Sequence, residues 1–203
     1  MKFIAAILLT LLTLGQTVST KSWEQTVAQV KRSVVRIAYE KLSHAGEAAC
    51  TAFVINSEKR YAMTATHCLH DTMFVDDKPA VAVFSVPALD VSIIEIRVFK
   101  PALVARTGKL KVGEEVAALG YGYGMLHPLA VFGRVSTLDM VIDEPDAKGA
   151  FLTMDRPVIM GMSGGPIFDS DGRVVAVAQR SDNRTGSGQP MSTVFDATVD
   201  YWQ

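Results

Sequence analysis

The sequence predicts an all-β protein whose strands form a barrel or a sandwich. Short runs of apolar and β-branched residues, such as "VVRIAY" near the start and "RVVAVAQR" near the end, recur along most of the chain. Most runs are bounded by Gly, Pro, Asp or Asn, which is typical of antiparallel strands joined by turns. No long helical pattern alternates with these runs, and this argues against a parallel α/β sheet.

Both ends of the β-rich region are predicted to carry a short helix. In residues 22–33, Trp23, Val27 and Val30 lie at helical spacing, which indicates an amphipathic helix. The tail "FDATVDYWQ" is expected to form a short final helix.

A linker is predicted between Lys100 and Gly113, where Pro101 and Gly108 interrupt the strand pattern. This linker would divide the mature chain into two similar β halves. We place the N-terminal half at residues 21–105 and the C-terminal half at residues 106–203.

The charge balance argues against a nucleic-acid partner. The 203 residues contain 20 Lys and Arg against 21 Asp and Glu, a formal net charge of -1. No long basic tract is present that would attract a phosphate backbone. The composition, with 49% hydrophobic residues, is that of a globular protein with a sizeable core.

The first 20 residues are predicted to be a secretory signal peptide. Lys2 precedes an apolar run from Phe3 to Leu14, and small and polar residues follow. The run is shorter than the roughly 20 residues that cross a bilayer. We therefore expect a secreted or periplasmic protein with no stable membrane anchor after cleavage. The alternative is a buried N-terminal helix.

Cys50 and Cys68 are predicted to form a disulfide, because an exported protein meets an oxidising compartment. A metal site is the alternative, since His67 and His70 flank Cys68. The His-Cys-x-His spacing matches no established zinc pattern, so the disulfide is favoured. We expect no metal and no cofactor.

The segment "GMSGGP", Gly161 to Pro166, has the composition of a loop that presents a nucleophilic serine. Serine needs a base to accept its proton and backbone N–H groups that face the oxyanion. Gly161 permits a backbone bend that directs its N–H inward beside the N–H of Ser163. The alternative is an ordinary surface turn.

His67 and Asp90 are the candidate partners of Ser163. His67 ends the β run "YAMTAT" beside Cys68, which would hold a base rigidly. Asp90 opens a strongly apolar strand, where a buried carboxylate must be paired. The alternative is a solvent-facing Asp at the start of the strand. The weaker candidates are His70, His127, Asp76 and Asp77.

Three motifs, "TAFVIN…TATHC", "LDVSIIEI" and "GMSGGPIF", occur in the order His, Asp, Ser. This order excludes the subtilisin and α/β-hydrolase arrangements. The motifs resemble those of trypsin-like, chymotrypsin-fold serine peptidases. "EEVAALGYGYG" and "FGRVSTL" add a resemblance to the HtrA-type protease domain, which extends over about residues 25–195. HtrA proteins carry a PDZ domain after the protease; this chain ends at Gln203, so we expect none.

The resemblance implies two packed antiparallel six-stranded β-barrels, with an active cleft between them and short terminal helices. His67 and Asp90 would come from the first barrel and Ser163 from the second. The N–H groups of Gly161 and Ser163 would form the oxyanion hole. The cysteine pair also matches the trypsin-like pattern, in which a bridge joins the histidine segment to the preceding strand.

The resemblance also implies the substrate-binding residues. The pocket would be lined by residues just before the serine and by a strand that pairs with the substrate backbone: Pro157, Val158 and Met160, with Gln179, Arg180 and Ser181. Pro157 stands where trypsin has its pocket acid, so we expect an apolar or small side chain before the cleaved bond. Met162 replaces the activation aspartate, which argues against trypsin-style activation.

The resulting hypothesis is a secreted serine endopeptidase that acts on polypeptides through a Ser-His-Asp triad. The alternatives are a catalytically silent binding module with the same fold and a hydrolase of small esters. No sequence feature indicates the oligomeric state.

Overall fold

The computed structural model describes residues 21–41, 44, 47, 49–144, 147–182 and 184–202. The predicted signal peptide, residues 1–20, lies outside these described residues and stays a prediction. Within the described part of the chain, no helix is long and apolar enough to cross a membrane.

Within the described residues, twelve strands form two closed barrels, and neighbouring strands pair antiparallel. Barrel 1 has the strand order β1-β2-β3-β6-β5-β4. Its strands are β1 (Val34–Ala38), β2 (Ala49–Asn56), β3 (Tyr61–Ala65), β4 (Met73–Val75), β5 (Lys78–Val86) and β6 (Val91–Glu95). This confirms the predicted all-β fold with six strands in each barrel.

Barrel 2 has the strand order β10-β11-β12-β9-β8-β7. Its strands are β7 (Glu115–Gly120), β8 (Leu129–Glu144), β9 (Ala147–Met154), β10 (Pro166–Phe168), β11 (Val174–Ser181) and β12 (Gly186–Pro190). The segment between the barrels contacts both of them, since Leu103 N–H donates to Val54 O and Val174 N–H donates to Val104 O. The predicted boundary after residue 105 stays a prediction.

Two short helices flank the barrels. Helix α1 (Trp23–Lys31) begins with a capping box between Ser22 and Gln25, which satisfies two backbone donors of the first turn. Helix α2 (Met191–Thr198) begins after Pro190, and a 3₁₀ turn (Val199–Tyr201) follows it. The final helix therefore starts earlier than its predicted segment, because the chain turns into the helix directly after the proline that ends β12.

Three apolar clusters explain why many strands are apolar on both faces. One cluster fills barrel 1 around Ile37 and Val54, and a second fills barrel 2 around Leu152 and Ile167. The third contains residues of both barrels and both helices, including Val30, Phe53, Leu119, Val177 and Val194. Strands such as β2 therefore have apolar neighbours on both faces, and they appear as continuous apolar runs.

The disulfide predicted between Cys50 and Cys68 is present, and the Cα atoms lie 5.9 Å apart. It joins β2 to the 3₁₀ turn Thr66–Cys68. Among the described residues, the one group with metal-ligand spacing is Cys50, His67 and Cys68. Both sulfurs of that group are bonded to each other, so neither is available as a thiolate ligand.

We predict that the double change Cys50→Ala and Cys68→Ala lowers the free energy of unfolding by about 3 kcal/mol, because the bridge closes a loop over 18 positions. Urea denaturation of oxidised protein would measure this. Reduced wild-type protein is the control and should unfold at the same urea concentration as the variant. Two titratable thiols in unreduced, unfolded wild type would contradict the bridge.

Candidate active site

Asp90 and His67 are joined by two hydrogen bonds. Asp90 Oδ2 lies 2.7 Å from His67 Nδ1, and Asp90 Oδ1 accepts the His67 backbone N–H at 2.9 Å. The Asp90 side chain is 5% exposed, whereas that of His67 is 44% exposed. An ionised carboxylate only accepts hydrogen bonds, so this geometry places the imidazole proton on Nδ1 and leaves Nε2 as the basic atom.

The backbone of Asp90 adopts a left-handed conformation that directs this carboxylate. With φ 51° and ψ 43°, Asp90 ends the 3₁₀ turn Pro87–Leu89 and precedes β6. Asp tolerates this conformation better than most residues because its short polar side chain finds local partners. The Asp90 carbonyl also accepts the N–H of Thr66, the residue before His67, at 3.1 Å.

Ser163 lies in a tight turn that requires glycine on both sides. Gly161 has φ +95° and Gly164 has φ +80°. A Cβ atom on Gly164 would lie 2.2 Å from Thr64 Oγ1 and 2.3 Å from Thr51 O, both in barrel 1. The glycine therefore allows the serine turn of barrel 2 to approach barrel 1 closely.

The Ser163 hydroxyl donates to the Gln179 carbonyl at 3.3 Å. Ser163 and His67 line the same cavity, of about 600 Å³, but no hydrogen bond joins their side chains. The structure therefore brings the three predicted triad residues together, with the serine hydroxyl directed to another acceptor.

The N–H groups of Gly161 and Ser163 donate to no acceptor among the residues that the structure describes. Both residues line the same cavity. The Gly161 carbonyl is held by Thr51 Oγ1 at 2.8 Å, and the Ser163 carbonyl by Thr51 N–H at 2.9 Å. Two unpaired donors in a cleft beside a serine can stabilise an oxyanion.

A second cavity, of about 470 Å³, contains Ser163 and all six residues predicted to bind substrate. These six are Pro157, Val158, Met160, Gln179, Arg180 and Ser181. The side chain of Gln179, however, is directed away from an expected substrate strand, because its amide donates to Leu89 O and Asp90 O.

Sequence reasoning missed Tyr123, which lines both cavities together with Met160 and Ser163. Tyr123 has φ +55° and is 63% exposed, and its N–H donates to Met160 O at 2.7 Å. The alternating "GYGYG" run is the available signal, since the close approach of Gly124 to the backbone of Glu47 demands glycine there.

Two tyrosines around the cleft stay neutral. Burial raises the pKa of Tyr39, whose hydroxyl donates to Cys68 O at 3.3 Å beside the cavity. Burial also raises the pKa of Tyr121 to about 12, with a smaller contribution from the charge of Asp76. Neither group adds negative charge near Ser163 at physiological pH.

The weaker sequence candidates lie outside this arrangement. His70 Nδ1 accepts the N–H of Thr72 at 3.3 Å, and its ring packs against Tyr39. Asp76 and Asp77 occupy the exposed turn between β4 and β5 with positive φ.

We predict that Gly164→Ala lowers the free energy of unfolding by more than about 2 kcal/mol, because the added methyl overlaps Thr64 and the Thr51 carbonyl. Gly108→Ala is the matched control, since no atom lies within 4 Å of its Cβ position, and we expect a change within about 0.5 kcal/mol. Urea denaturation measures both. Equal stabilities of the two variants would show that the serine turn does not pack against barrel 1 as described.

Solved structures of known proteases share this fold. A solved structure of the Rv3671c protease from M. tuberculosis, active form, is 27% identical with a TM-score of 0.73, covering 86% of this chain and 82% of that one. A structure of the HtrA-type protease AlgW with tripeptide has a TM-score of 0.76 at 18% identity, covering 90% of this chain and 64% of that one. The second likeness shows the fold alone.

Sequence comparison finds plant and bacterial relatives. "Protease Do-like 5, chloroplastic" of Arabidopsis thaliana is 30% identical over 120 residues, 56% of this chain and 37% of the relative. A "Probable periplasmic serine endoprotease DegP-like" of Pseudomonas putida is 27% identical over 161 residues, 74% of this chain and 33% of the relative. The chain thus spans about a third of the length of these relatives.

The family model described as "Trypsin-like peptidase domain" matches residues 50–177, which is more than half of the chain. The matched range contains His67, Asp90 and Ser163, which the two barrels bring to one cleft. The chain therefore belongs to the trypsin-like peptidase domain family.

Proposed function

We propose that this chain is a secreted serine endopeptidase with Ser163 as nucleophile, His67 as base and Asp90 as the acid that orients the base. One observation carries the proposal. The buried Asp90 carboxylate holds the His67 ring by a 2.7 Å hydrogen bond, and the same cavity contains Ser163 and two unpaired N–H groups. This set of groups meets the needs of acyl transfer.

The reaction begins when the Ser163 hydroxyl attacks a peptide carbonyl and His67 Nε2 takes its proton. A bond forms between Oγ and the carbonyl carbon. The resulting oxyanion accepts hydrogen bonds from the N–H groups of Gly161 and Ser163. Collapse of this intermediate breaks the peptide C–N bond, and the imidazolium gives its proton to the leaving amine. Water then repeats the attack on the acyl-enzyme and restores Ser163.

The serine hydroxyl must leave the Gln179 carbonyl before it can donate to His67. Residues Gln179 to Ser181 are expected to pair with the substrate backbone by strand addition. A substrate N–H that donates to the Gln179 carbonyl would compete with Ser163 Oγ for this acceptor. Substrate binding would in this way favour the hydroxyl rotamer that faces His67.

The pocket beside Ser163 favours a small or apolar side chain. Val158 is 6% exposed and packs against Gly186, whose absent Cβ would lie 2.9 Å from Val158 Cγ1. Asp182 also borders this cavity. Its carboxylate already accepts bonds from the N–H groups of Arg184 and Thr185 and from the Thr185 hydroxyl, and these hold its pKa below the usual range.

Export of the chain rests on the N-terminal sequence and on the relatives. Residues 1–20 have the organisation of a signal peptide, and the Pseudomonas putida relative is described as periplasmic. N-terminal sequencing of protein recovered from outside the cytoplasm is expected to find a chain that begins near residue 21. An intact Met1 on that protein would contradict cleavage.

We predict that Ser163→Ala removes labelling by a fluorophosphonate probe and lowers kcat for casein or ester substrates by about 10⁴-fold or more. The melting temperature should change little, because the Ser163 side chain makes one hydrogen bond. Ser170→Ala, a nearby serine on an exposed turn, is the control and should label like wild type. A folded wild-type protein that takes no label at Ser163 would overturn the proposed enzyme.

We further predict that Val158→Ala deepens the pocket. In a peptide series that differs only in the residue before the cleaved bond, kcat/KM for Leu or Phe should rise about 10-fold relative to Ala. Val141→Ala, at a position 78% exposed on β8, should leave this ratio unchanged. If Val158→Ala leaves the preference as in wild type, Val158 does not limit the pocket.

A further inference from the structure

The side chain of Gln179 crosses from barrel 2 to barrel 1. Gln179 lies on β11, yet its Nε2 donates to Leu89 O at 2.7 Å and to Asp90 O at 2.8 Å. The residue is 4% exposed, so water does not compete effectively for these contacts. A buried amide thus links the strand beside the serine turn to the turn that carries Asp90.

The orientation of this amide is fixed by its neighbours. Two carbonyl oxygens face the Nε2 atom, and a carbonyl only accepts hydrogen bonds. A flipped amide would place Oε1 against both carbonyls, and neither carbonyl could then accept a hydrogen bond from Gln179. In the described structure Oε1 is buried and has no hydrogen-bond partner. Both donor hydrogens of the side chain are therefore used on the Asp90 turn.

The conformation of the turn that Gln179 contacts determines where the Asp90 carboxylate lies. Asp90 has φ 51°, a conformation that costs free energy unless its surroundings hold it. Its carbonyl accepts Thr66 N–H from within barrel 1 and Gln179 Nε2 from barrel 2. The carboxylate of the same residue holds the His67 ring. A shift of this turn would therefore move the orienting acid relative to the base.

Gln179 also contacts the serine. Its backbone carbonyl accepts the Ser163 hydroxyl at 3.3 Å, while its side chain holds the Asp90 turn. One residue thus contacts the nucleophile segment of barrel 2 and the acid segment of barrel 1.

We propose that Gln179 is a positioning residue, in addition to its place in the substrate strand. Its side-chain amide holds the Asp90 turn in the alignment with Ser163 that proton transfer through His67 requires. This inference rests on the proposed serine peptidase function. The amide acts through Asp90 and His67 and does not touch the reacting atoms.

The test is Gln179→Met, which keeps the length of the side chain and removes both donors. With an activated ester substrate, we expect kcat to fall by about 10- to 100-fold, the scale of a small misalignment of catalytic groups, and KM to stay within about 3-fold. The low-field proton NMR signal of His67 Nδ1–H, assigned by its loss in His67→Ala, should shift or broaden. A residue with only a structural role would not move this signal in folded protein.

Gln189→Met is the matched control, because Gln189 is an equally buried glutamine on the neighbouring strand β12. Its side-chain amide has no hydrogen-bond partner in the described structure, so kcat and the NMR signal should match those of wild type. Gln179→Asn, which keeps the amide but shortens the side chain, should give an intermediate kcat.

A folded Gln179→Met variant with wild-type kcat and an unchanged Nδ1–H signal overturns the proposal. A Gln179→Met chain that does not fold overturns it as well, since the amide would then serve the fold as a whole. If wild-type protein itself takes no fluorophosphonate label, the proposed function fails instead. The two failures are therefore distinguishable.

Discussion

The candidate active site depends on a buried polar seam between the barrels, and Thr51 lies at its centre. Thr51 N–H donates to Ser163 O at 2.9 Å, and Thr51 Oγ1 donates to Gly161 O at 2.8 Å. The same hydroxyl accepts Tyr121 N–H, and the Thr51 carbonyl accepts the Thr64 hydroxyl. A single residue of barrel 1 thus holds the turn that carries the serine of barrel 2, through its backbone N–H and its hydroxyl. These bonds hold the carbonyls of Gly161 and Ser163, whose N–H groups line the cleft and donate to no acceptor among the described residues.

Adjacent residues of β2 position both halves of the site. Cys50 is bonded to Cys68, which follows His67, and Thr51 holds the serine turn. The proposed base and the proposed nucleophile are therefore both linked to one strand, although they belong to different barrels. The disulfide of Cys50 and the hydrogen bonds of Thr51 come from neighbouring residues. They therefore leave little freedom between the histidine segment and the serine turn. This explains how a cleft between two barrels can keep a precise geometry.

Short sequence motifs predict the candidate triad residues and, through their resemblance to a known family, the two barrels. They cannot predict where every side chain points. His67, Asp90 and Ser163 lie in short motifs whose glycines, apolar runs and neighbouring cysteine carry the information. Gln179 differs, because a register shift between Ala178 and Arg180 breaks the alternation of β11. Once a bulge interrupts the period of two, the sequence no longer states which face a residue takes. Its contact with Asp90 thus requires the folded structure.

The hydrogen bonds of the seam align the two barrels at the site, but they contribute little to the free energy of folding. Each of its hydrogen bonds replaces one that water provides to the unfolded chain, so its net contribution is about 0.5–1.5 kcal/mol. Burial of the shared apolar cluster, which includes Phe53, Leu119 and Val177, is the larger driving force for packing the barrels together. Apolar contacts, however, tolerate small sliding motions that directional hydrogen bonds do not. Substitutions in the seam can therefore misalign the candidate site while the barrels stay folded, which separates the determinants of the site's geometry from those of the fold.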